Sequence, residues 1–432
     1  MNAISFRNSK ASPHLLAPTR PSVLALAIMF AFAIGAVPAA QAQTYTVLHF
    51  FTDQGDGAHP STGLTIDAAG NLYGTTSIGG PGEYGTVFRL KRSGSGWTLN
   101  TLYGFGDGRD GGQPEGRVAL AKDGTLYGTT VQGGSEYGVV FHLTPPPTAP
   151  RSALTPWNET VIYQFTGRTD GGNPQGDLTF DQAGNIYGTT PQGGAQECHQ
   201  DGSVGCGTVY EITPSGSGWV ETVLYAPQEG SDGAQPVDGV VFDASGNLYG
   251  EFQSGGPFNW GLIYQLSTSG SGWTELPIFD FSGGNNGGVP EAGMILDPSS
   301  GNLYGTTNFG GSGGCGTVFQ FTPVGGGWLL DTIYGFPGSP GGCNPEAKLV
   351  MDAAGNLYGT TSYGGNRTGQ GTVFKLTHGN GGWTATTLHA FTGGDDGAYP
   401  MSSLVFDANG NLYGTTYSGG DRYDGVVFEL TP

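Results

Sequence analysis

Positively charged residues are scarce in this sequence. It has 15 lysines and arginines against 35 aspartates and glutamates, which gives a formal net charge of -20 at pH 7. Proteins that bind DNA or RNA use clustered lysines and arginines to neutralise phosphates, and no such cluster follows residue 42. The composition therefore argues against a nucleic-acid partner.

Long apolar segments are also rare. One covers residues 23–37, which is shorter than the roughly 20 residues that a membrane-spanning helix needs. Basic residues precede it and small residues ending at Ala42 follow it, in the order typical of a secretory signal peptide. We therefore predict a signal peptide at 1–42 and a single exported domain at 43–432, with no further membrane span. An uncleaved N-terminal anchor is the alternative.

Local catalytic motifs are missing as well. The sequence contains no GxSxG nucleophile elbow, no HExxH zinc motif and no phosphate-binding P-loop. These absences argue against the enzyme classes that depend on such motifs. An enzyme that assembles its site from separate parts of the chain stays open as an alternative.

Cysteine is limited to four residues. In an exported protein, so few cysteines favour disulfides over metal binding or catalysis. We predict the pair Cys198–Cys206, which flanks a short insertion, and the pair Cys315–Cys343, which joins two neighbouring loops. A zinc site is not expected, because no CxxC spacing accompanies these residues.

Glycine, in contrast, is abundant, with 82 of 432 residues. Many of these glycines belong to seven copies of a segment close to NLYGTT, whose tyrosine recurs every 54 to 62 residues. Such regular spacing indicates a repeat protein. The repeated tyrosines are Tyr73, Tyr127, Tyr187, Tyr249, Tyr304, Tyr358 and Tyr413.

Each repeat contains four short segments rich in β-branched and aromatic residues, with turn-forming residues between them. In the first repeat these segments are GLTID, NLYGTTS, GTVFRL and WTLNTLYGF. Long helical patterns are absent. Four strands in each of seven repeats predict an all-β fold, a seven-bladed β-propeller of four-stranded blades.

The two ends of the repeat region complement each other. The seventh repeat stops before its fourth strand, and a matching segment, YTVLHFF, stands before the first repeat at Tyr45–Phe51. We predict that this N-terminal strand completes the last blade and closes the ring. Closure leaves no blade half built and protects the sheet edges.

The recurring aromatic residues are expected to pack between blades. Neighbouring residues of a strand point to opposite faces, so the tyrosine and the glycine of each motif face different blades. We predict that each tyrosine lies over the space that a glycine of the adjacent blade leaves empty. Six tryptophans open the fourth strands, and we expect them to be core or blade-edge residues: Trp97, Trp157, Trp219, Trp273, Trp328 and Trp383.

Two of the longer repeat segments, GNLYGTTSIGGPGEYGTVFRL and GNLYGTTNFGGSGGCGTVFQF, carry a family resemblance. They resemble those of the choice-of-anchor tandem repeat GloVer-containing proteins, which are bacterial exported repeat proteins. The resemblance covers all seven repeats and implies export, in many members with attachment to the cell surface through a C-terminal anchor. We expect no such anchor here, since the sequence ends inside its last repeat. The resemblance implies no catalytic residues.

The loops that lead into the first strand of each repeat, here named crossover loops, carry similar sequences such as DGAHP and DGGQP. One position in them holds an aspartate in five repeats, which predicts an acidic ring on one face that is nearly the same in every blade. Carboxylates and carbonyls are calcium ligands, so calcium is a candidate cofactor. Ordinary turn-forming aspartates are the alternative. The five residues are Asp56, Asp110, Asp170, Asp232 and Asp396.

The fourth repeat departs from the pattern. Glu251 and Phe252 replace the two threonines, and the loop that follows contains Phe258 and Trp260. An aromatic residue beside a carboxylate on an exposed loop predicts a sugar-stacking site formed by Glu251, Phe258 and Trp260. Neutral drift of one repeat is the alternative.

These observations predict a secreted, monomeric β-propeller that acts as a non-catalytic binding or cell-surface interaction module. Its expected partner is an extracellular glycan or protein. The first alternative is a propeller enzyme, a metal-assisted hydrolase or a polysaccharide lyase, with its site at the channel mouth. The second is a structural protein of the extracellular matrix.

Overall fold

A computed structural model describes residues 43–106, 108–147, 156–194, 205–216, 218–228, 230–270 and 272–431. The predicted signal peptide at 1–42 lies outside the described residues. The described part is built of 28 β-strands and contains no helix. Accordingly, no helix in this part of the chain is long and apolar enough to cross a membrane.

The strands form seven four-stranded sheets, here called blades 1 to 7. Blade 1 consists of β2 (Thr65–Ile66), β3 (Leu72–Thr76), β4 (Thr86–Ser93) and β5 (Gly96–Gly104), blade 2 of β6 (Ala119–Leu120), β7 (Leu126–Thr130), β8 (Val139–Thr144) and β9 (Asn158–Gln164), and blade 3 of β10 (Thr179–Phe180), β11 (Ile186–Thr190), β12 (Thr208–Ser215) and β13 (Gly218–Tyr225). Blade 4 consists of β14 (Ala234–Phe242), β15 (Leu248–Ser254), β16 (Leu262–Ser269) and β17 (Gly272–Asp280), and blade 5 of β18 (Ile295–Leu296), β19 (Leu303–Thr307), β20 (Thr317–Val324) and β21 (Gly327–Gly335). Blade 6 consists of β22 (Val350–Met351), β23 (Leu357–Thr361), β24 (Thr372–Gly379) and β25 (Gly382–Ala390), and blade 7 of β26 (Val405–Phe406), β27 (Leu412–Thr416), β28 (Val426–Thr431) and β1 (Thr44–Phe50).

The ring closes through the N-terminal strand, as the sequence predicted. Strand β1 pairs antiparallel with β28, with Thr44 opposite Thr431 and Tyr45 opposite Leu430. Seven clusters of buried apolar residues each join two adjacent blades, the last of them joining blade 7 to blade 1. The fold is therefore the predicted seven-bladed β-propeller.

The packing around the repeated glycine differs from the prediction. Gly74 lies directly opposite Phe88 in the β3–β4 pair. A β-carbon at Gly74 would lie 2.6 Å from Cζ of Phe88 and 2.8 Å from Cδ2 of Leu64, and both residues belong to the same blade. The predicted aromatic-over-glycine packing between blades is therefore wrong, because the cross-strand aromatic ring of the same blade fills this space.

The repeated tyrosines instead contact the tryptophans of the next blade. Tyr73 packs edge-on against Trp157 with ring centroids 6.5 Å apart, and its hydroxyl donates to Asp67 over 3.0 Å. The tryptophans thus lie between blades, as predicted. The other pairs of this kind are Tyr127–Trp219, Tyr249–Trp328, Tyr304–Trp383 and Tyr413–Trp97.

One predicted disulfide is confirmed. Cys315 and Cys343 are bonded, with Cα atoms 4.5 Å apart, and they join the β19–β20 loop to the crossover loop that leads into blade 6. Cys206 is also disulfide-bonded. The predicted pair Cys198–Cys206 cannot be described further, because Cys198 lies outside the described residues.

Candidate binding site at the channel mouth

A cavity of about 450 Å³ opens where the seven blades converge. Every crossover loop ends in a proline, and the three residues after it lead towards the first strand of the blade. These triplets, here named the channel segments, all contribute to the cavity wall, which places it on the ring axis. The channel segments are residues 61–63, 115–117, 175–177, 237–239, 291–293, 346–348 and 401–403.

The channel segments differ from blade to blade, although the proline before them recurs in every blade. The expectation of a nearly uniform face is therefore wrong at the centre of the ring. Sequence reasoning missed these residues because it read each crossover loop only as far as its proline. The first residues of the channel segments are Ser61, Glu115, Gln175, Val237, Glu291, Glu346 and Met401.

An ion pair joins the channel segments of blades 2 and 3. Nη2 of Arg117 lies 2.7 Å from Oδ2 of Asp177, and the backbone N–H of Arg117 donates to Oδ1 over 3.3 Å. The carboxylate of Asp177 raises the pKa of Arg117 above its ordinary value. Arg117 is therefore charged at neutral pH and is held against Asp177.

Blade 4 brings a second carboxylate to the cavity through a β-bulge. The pairing of β14 with β15 is interrupted between Val237 and Val241, and Asp238 in the bulge has a φ of 53°. Its Oδ2 lies 3.7 Å from Nζ of Lys348 in blade 6. Burial, followed by the charge of Asp177, raises the pKa of Asp238 well above its ordinary value.

Glu251 lies behind Asp238 and is fully buried. Its Oε2 accepts a hydrogen bond of 3.0 Å from the backbone N–H of Gly293, whereas Oε1 has no hydrogen-bond partner among the described residues. Burial, together with the charge of Asp238, raises the pKa of Glu251 to about 8. Glu251 is therefore mostly protonated at neutral pH.

The substitution at Glu251 reverses a repeated contact. In three other blades the equivalent threonine hydroxyl donates to a carbonyl of the next blade: Thr306 to Pro345, Thr360 to Ser402 and Thr415 to Thr62. Glu251 instead accepts from the next blade. Blade 4 is thus adapted to hold a carboxyl group at the channel.

Two further glutamates, in the channel segments of blades 5 and 6, share an amide. Nδ2 of Asn308 donates to Glu291 over 2.7 Å and lies 3.5 Å from Glu346. Gln253 also donates to Glu291. Burial, with the charge of Glu291 added, raises the pKa of Glu346 to about 7, and burial also raises the pKa of Glu291.

The cavity also has an aromatic side. Tyr417 lines it beside Met401, and its ring stacks on His59 with centroids 4.5 Å apart. The wall therefore combines carboxylates, two cations and amides with one apolar surface. Such a mixture can bind a small polar ligand that also has an apolar face.

The five aspartates predicted as calcium ligands lie elsewhere. Each carboxylate caps its own crossover loop. It accepts a hydrogen bond from the backbone N–H of the residue four positions earlier and contacts the aromatic side chain seven positions earlier. Asp110, for example, accepts from Gly106 and from the hydroxyl of Tyr103. None of the five is among the cavity-lining residues. In the described ranges no three His, Cys, Asp or Glu side chains form a group suited to a metal ion. Calcium binding stays a prediction. The four other pairs are Asp56–His49, Asp170–Tyr163, Asp232–Tyr225 and Asp396–His389.

The three residues of the predicted sugar-stacking site do not lie together in the structure. Phe258 and Trp260 are exposed in the β15–β16 loop, where Trp260 covers Gly283 and Gly288 of the next crossover loop. Glu251 is inside β15 and contacts channel residues, so its expected position on an exposed loop is wrong. Sugar binding by the two exposed aromatic residues stays a prediction.

Two solved structures are similar to this chain at low sequence identity. The "putative oxidoreductase (glucose dehydrogenase)" of Thermus thermophilus is 16% identical, with 74% of this chain and 96% of that chain covered and a TM-score of 0.43. The "putative 6-phosphogluconolactonase" of Bacteroides uniformis is 15% identical, with coverage of 80% and 88% and a TM-score of 0.49.

Comparison with curated proteins finds no match. The family model for the Gloeobacter/Verrucomicrobia repeat matches residues 35–198 and 197–428, which together cover nearly all of the repeat region. This match agrees with the family resemblance of the repeated segments. The chain therefore belongs to the Gloeobacter/Verrucomicrobia repeat family.

Proposed function

We propose that this protein is an exported, non-catalytic binding module that holds a small polar ligand, of the carbohydrate class, at the channel mouth. One observation carries the proposal: the chain repeats its structural residues seven times but varies the channel segments, which line a polar cavity. Structural roles repeat with the blade, whereas a site for one asymmetric ligand requires different residues in different blades.

The chemistry of the wall supports a carbohydrate. Carboxylates and amides such as Glu346 and Gln175 pair with hydroxyl groups, and Tyr417 offers an aromatic surface to the apolar face of a sugar ring. The confirmed disulfide, the family and the signal-like N-terminal sequence support export.

A glycan array followed by titration calorimetry tests the proposal. We expect Gln175→Trp to abolish binding of any saccharide that the protein retains, because the added ring would crowd the cavity. Gln182→Trp is the matched control, since Gln182 is an exposed residue of the same blade, in the hairpin between β10 and β11. Equal binding by both variants, or retention of no saccharide, would refute the proposal.

Catalysis at the same place is the second candidate. Its support is the raised pKa, about 7, of the cavity-lining Glu346, because such a carboxyl group can act as a general acid at neutral pH. A screen of glycosides and polysaccharides with and without EDTA tests it. Product formation that Glu346→Gln abolishes would favour a hydrolase or a lyase over a binding module.

A further inference from the structure

Acidic groups outnumber basic groups in the cavity wall. Five carboxylates line it, from Glu115, Asp177, Asp238, Glu291 and Glu346, against the two cations of Arg117 and Lys348. Both cations already face an aspartate, Asp177 at 2.7 Å and Asp238 at 3.7 Å. The three glutamates therefore have no matching lysine or arginine in the wall.

The three glutamates approach the cavity from two sides. Each is the first residue of its channel segment, with Glu115 in blade 2, Glu291 in blade 5 and Glu346 in blade 6. In a closed ring of seven blades, blade 2 stands across the axis from blades 5 and 6. A ligand on the axis therefore meets acidic groups on both sides.

One buried carboxyl oxygen of the wall also lacks a donor. Oδ2 of Asp238 has no hydrogen-bond partner in the described ranges. Nζ of Lys348 lies 3.7 Å from that Oδ2, beyond hydrogen-bond distance. A buried acceptor without a donor costs free energy, so the wall favours a ligand rich in N–H donors.

We propose that the ligand of the channel mouth carries a protonated primary amine, which the glutamates of blades 2, 5 and 6 bind. This inference rests on the proposed binding function of the same cavity. An ammonium group offers three donors and a positive charge, and both cations of the wall already face aspartates rather than the three glutamates. Two sources share this chemistry: an amino sugar with a free amine and an aliphatic polyamine.

Calorimetry at about pH 7 distinguishes the sources. The probes are chitosan oligosaccharides of about two to four units, their fully N-acetylated counterparts and spermidine. We expect the free-amine oligosaccharides to bind at least about tenfold more tightly than the N-acetylated ones, which keep the ring and most hydroxyls but lose the charge. If spermidine binds and the oligosaccharides do not, the inference of an amine is supported and the ligand is an aliphatic polyamine. The proposed carbohydrate class of the ligand would then be wrong.

Two outcomes would overturn the inference. If N-acetylated or other neutral saccharides bind as tightly as the amines, the amine inference fails while the proposed binding function survives. If none of the probes and no glycan of the array binds, both fail.

Variants locate the interaction. Glu115→Gln and Glu346→Gln should each weaken amine binding about tenfold or more, while Glu83→Gln, an exposed loop residue outside the cavity, should leave it unchanged. Affinity for spermidine, whose amines stay protonated over this range, should also rise as the pH increases from about 5.5 to 8, because Glu346, with its pKa near 7, then ionises. Unchanged affinity in both glutamine variants, with native melting temperatures, would overturn the assignment.

Discussion

At the scale of single residues, each blade depends on a glycine and the aromatic residue opposite it. Gly359 and Phe374 form such a pair in blade 6, where a β-carbon on the glycine would lie 2.7 Å from Cζ of the ring and 3.0 Å from Cδ2 of Leu349. The glycine is therefore required because the ring of its own blade occupies the position of a side chain.

We expect Gly359→Ala to lower the free energy of unfolding by about 1–3 kcal/mol, the range for overpacking a core. Gly96→Ala is the control, because a β-carbon at Gly96 meets open space. Urea unfolding measures both variants. Adding Phe374→Leu should recover part of the loss. If Tyr304→Leu instead recovers the lost stability, the tyrosine of the neighbouring blade fills the space.

A second prediction at this scale concerns Glu251 and pH. Its pKa is about 8 in the folded protein, whereas an exposed glutamate titrates near 4.3. The folded state therefore keeps a proton that the unfolded state has lost, so this residue stabilises the fold at low pH and loses that effect as the pH rises towards 8.

We expect Glu251→Gln, which does not titrate, to be more stable than the native protein at about pH 8, by on the order of 1–3 kcal/mol. The difference should shrink steadily as the pH falls to about 5. Thermal unfolding across this range measures the effect. A difference that does not vary with pH would contradict the burial of an ionisable carboxyl group at this position.

At the scale of strands and loops, neighbouring blades are joined by a repeated contact. The residue two positions before the third strand accepts a backbone hydrogen bond from the next crossover loop, as Cys315 does from Asn344 over 2.9 Å and Trp260 from Val289 over 2.8 Å. The Cys315–Cys343 disulfide adds a covalent bond to this contact in one place.

We expect the double variant Cys315→Ala, Cys343→Ala to lose about 2–4 kcal/mol of stability but to keep the fold, because the backbone contact remains. Thermal unfolding with and without a reducing agent measures the loss. The reduced native protein should lose at least as much stability as the variant, because reduction also breaks the disulfide of Cys206. A variant as stable as the oxidised protein would show that the bond does not constrain the unfolded chain.

The strands themselves were predictable from the sequence, since β-branched residues alternate with turn residues in each repeat. Glu251 was not placed correctly, because it was grouped with the loop that follows, whereas it takes the position of a strand threonine and lies inside β15 as Thr306 lies inside β19. The repeated tyrosine was assigned to the right face, but its partner, a tryptophan of the next blade, depends on how strands of different blades align. The sequence pattern predicts which face of a strand a side chain points to, but it does not predict how strands of different blades align.

At the scale of the whole molecule, the ring depends on β1. Without it, blade 7 would have three strands and β28 would present unpaired backbone groups at an edge. We expect removal of residues 43–50, together with those before them, to lower the melting temperature strongly, and a synthetic TYTVLHF peptide to restore part of it. Unchanged melting after the truncation would contradict closure of the ring by this strand.

The closed ring was predictable from the count of repeats and from the strand missing at one end. The cavity was not, because its wall combines seven triplets that are far apart in sequence and become neighbours only in the closed ring. Their variation beside a repeated proline is a signal present in the sequence. Comparing repeats position by position beyond the proline would have revealed it.

A crystal structure of the protein soaked with a chitosan oligosaccharide tests the central claim most directly. We expect the sugar in the cavity at the channel mouth, with its amine within hydrogen-bond distance of Glu115, Glu291 or Glu346. Density for the sugar at Phe258 and Trp260 alone, with an empty cavity, would contradict the assignment of the channel segments as the binding site.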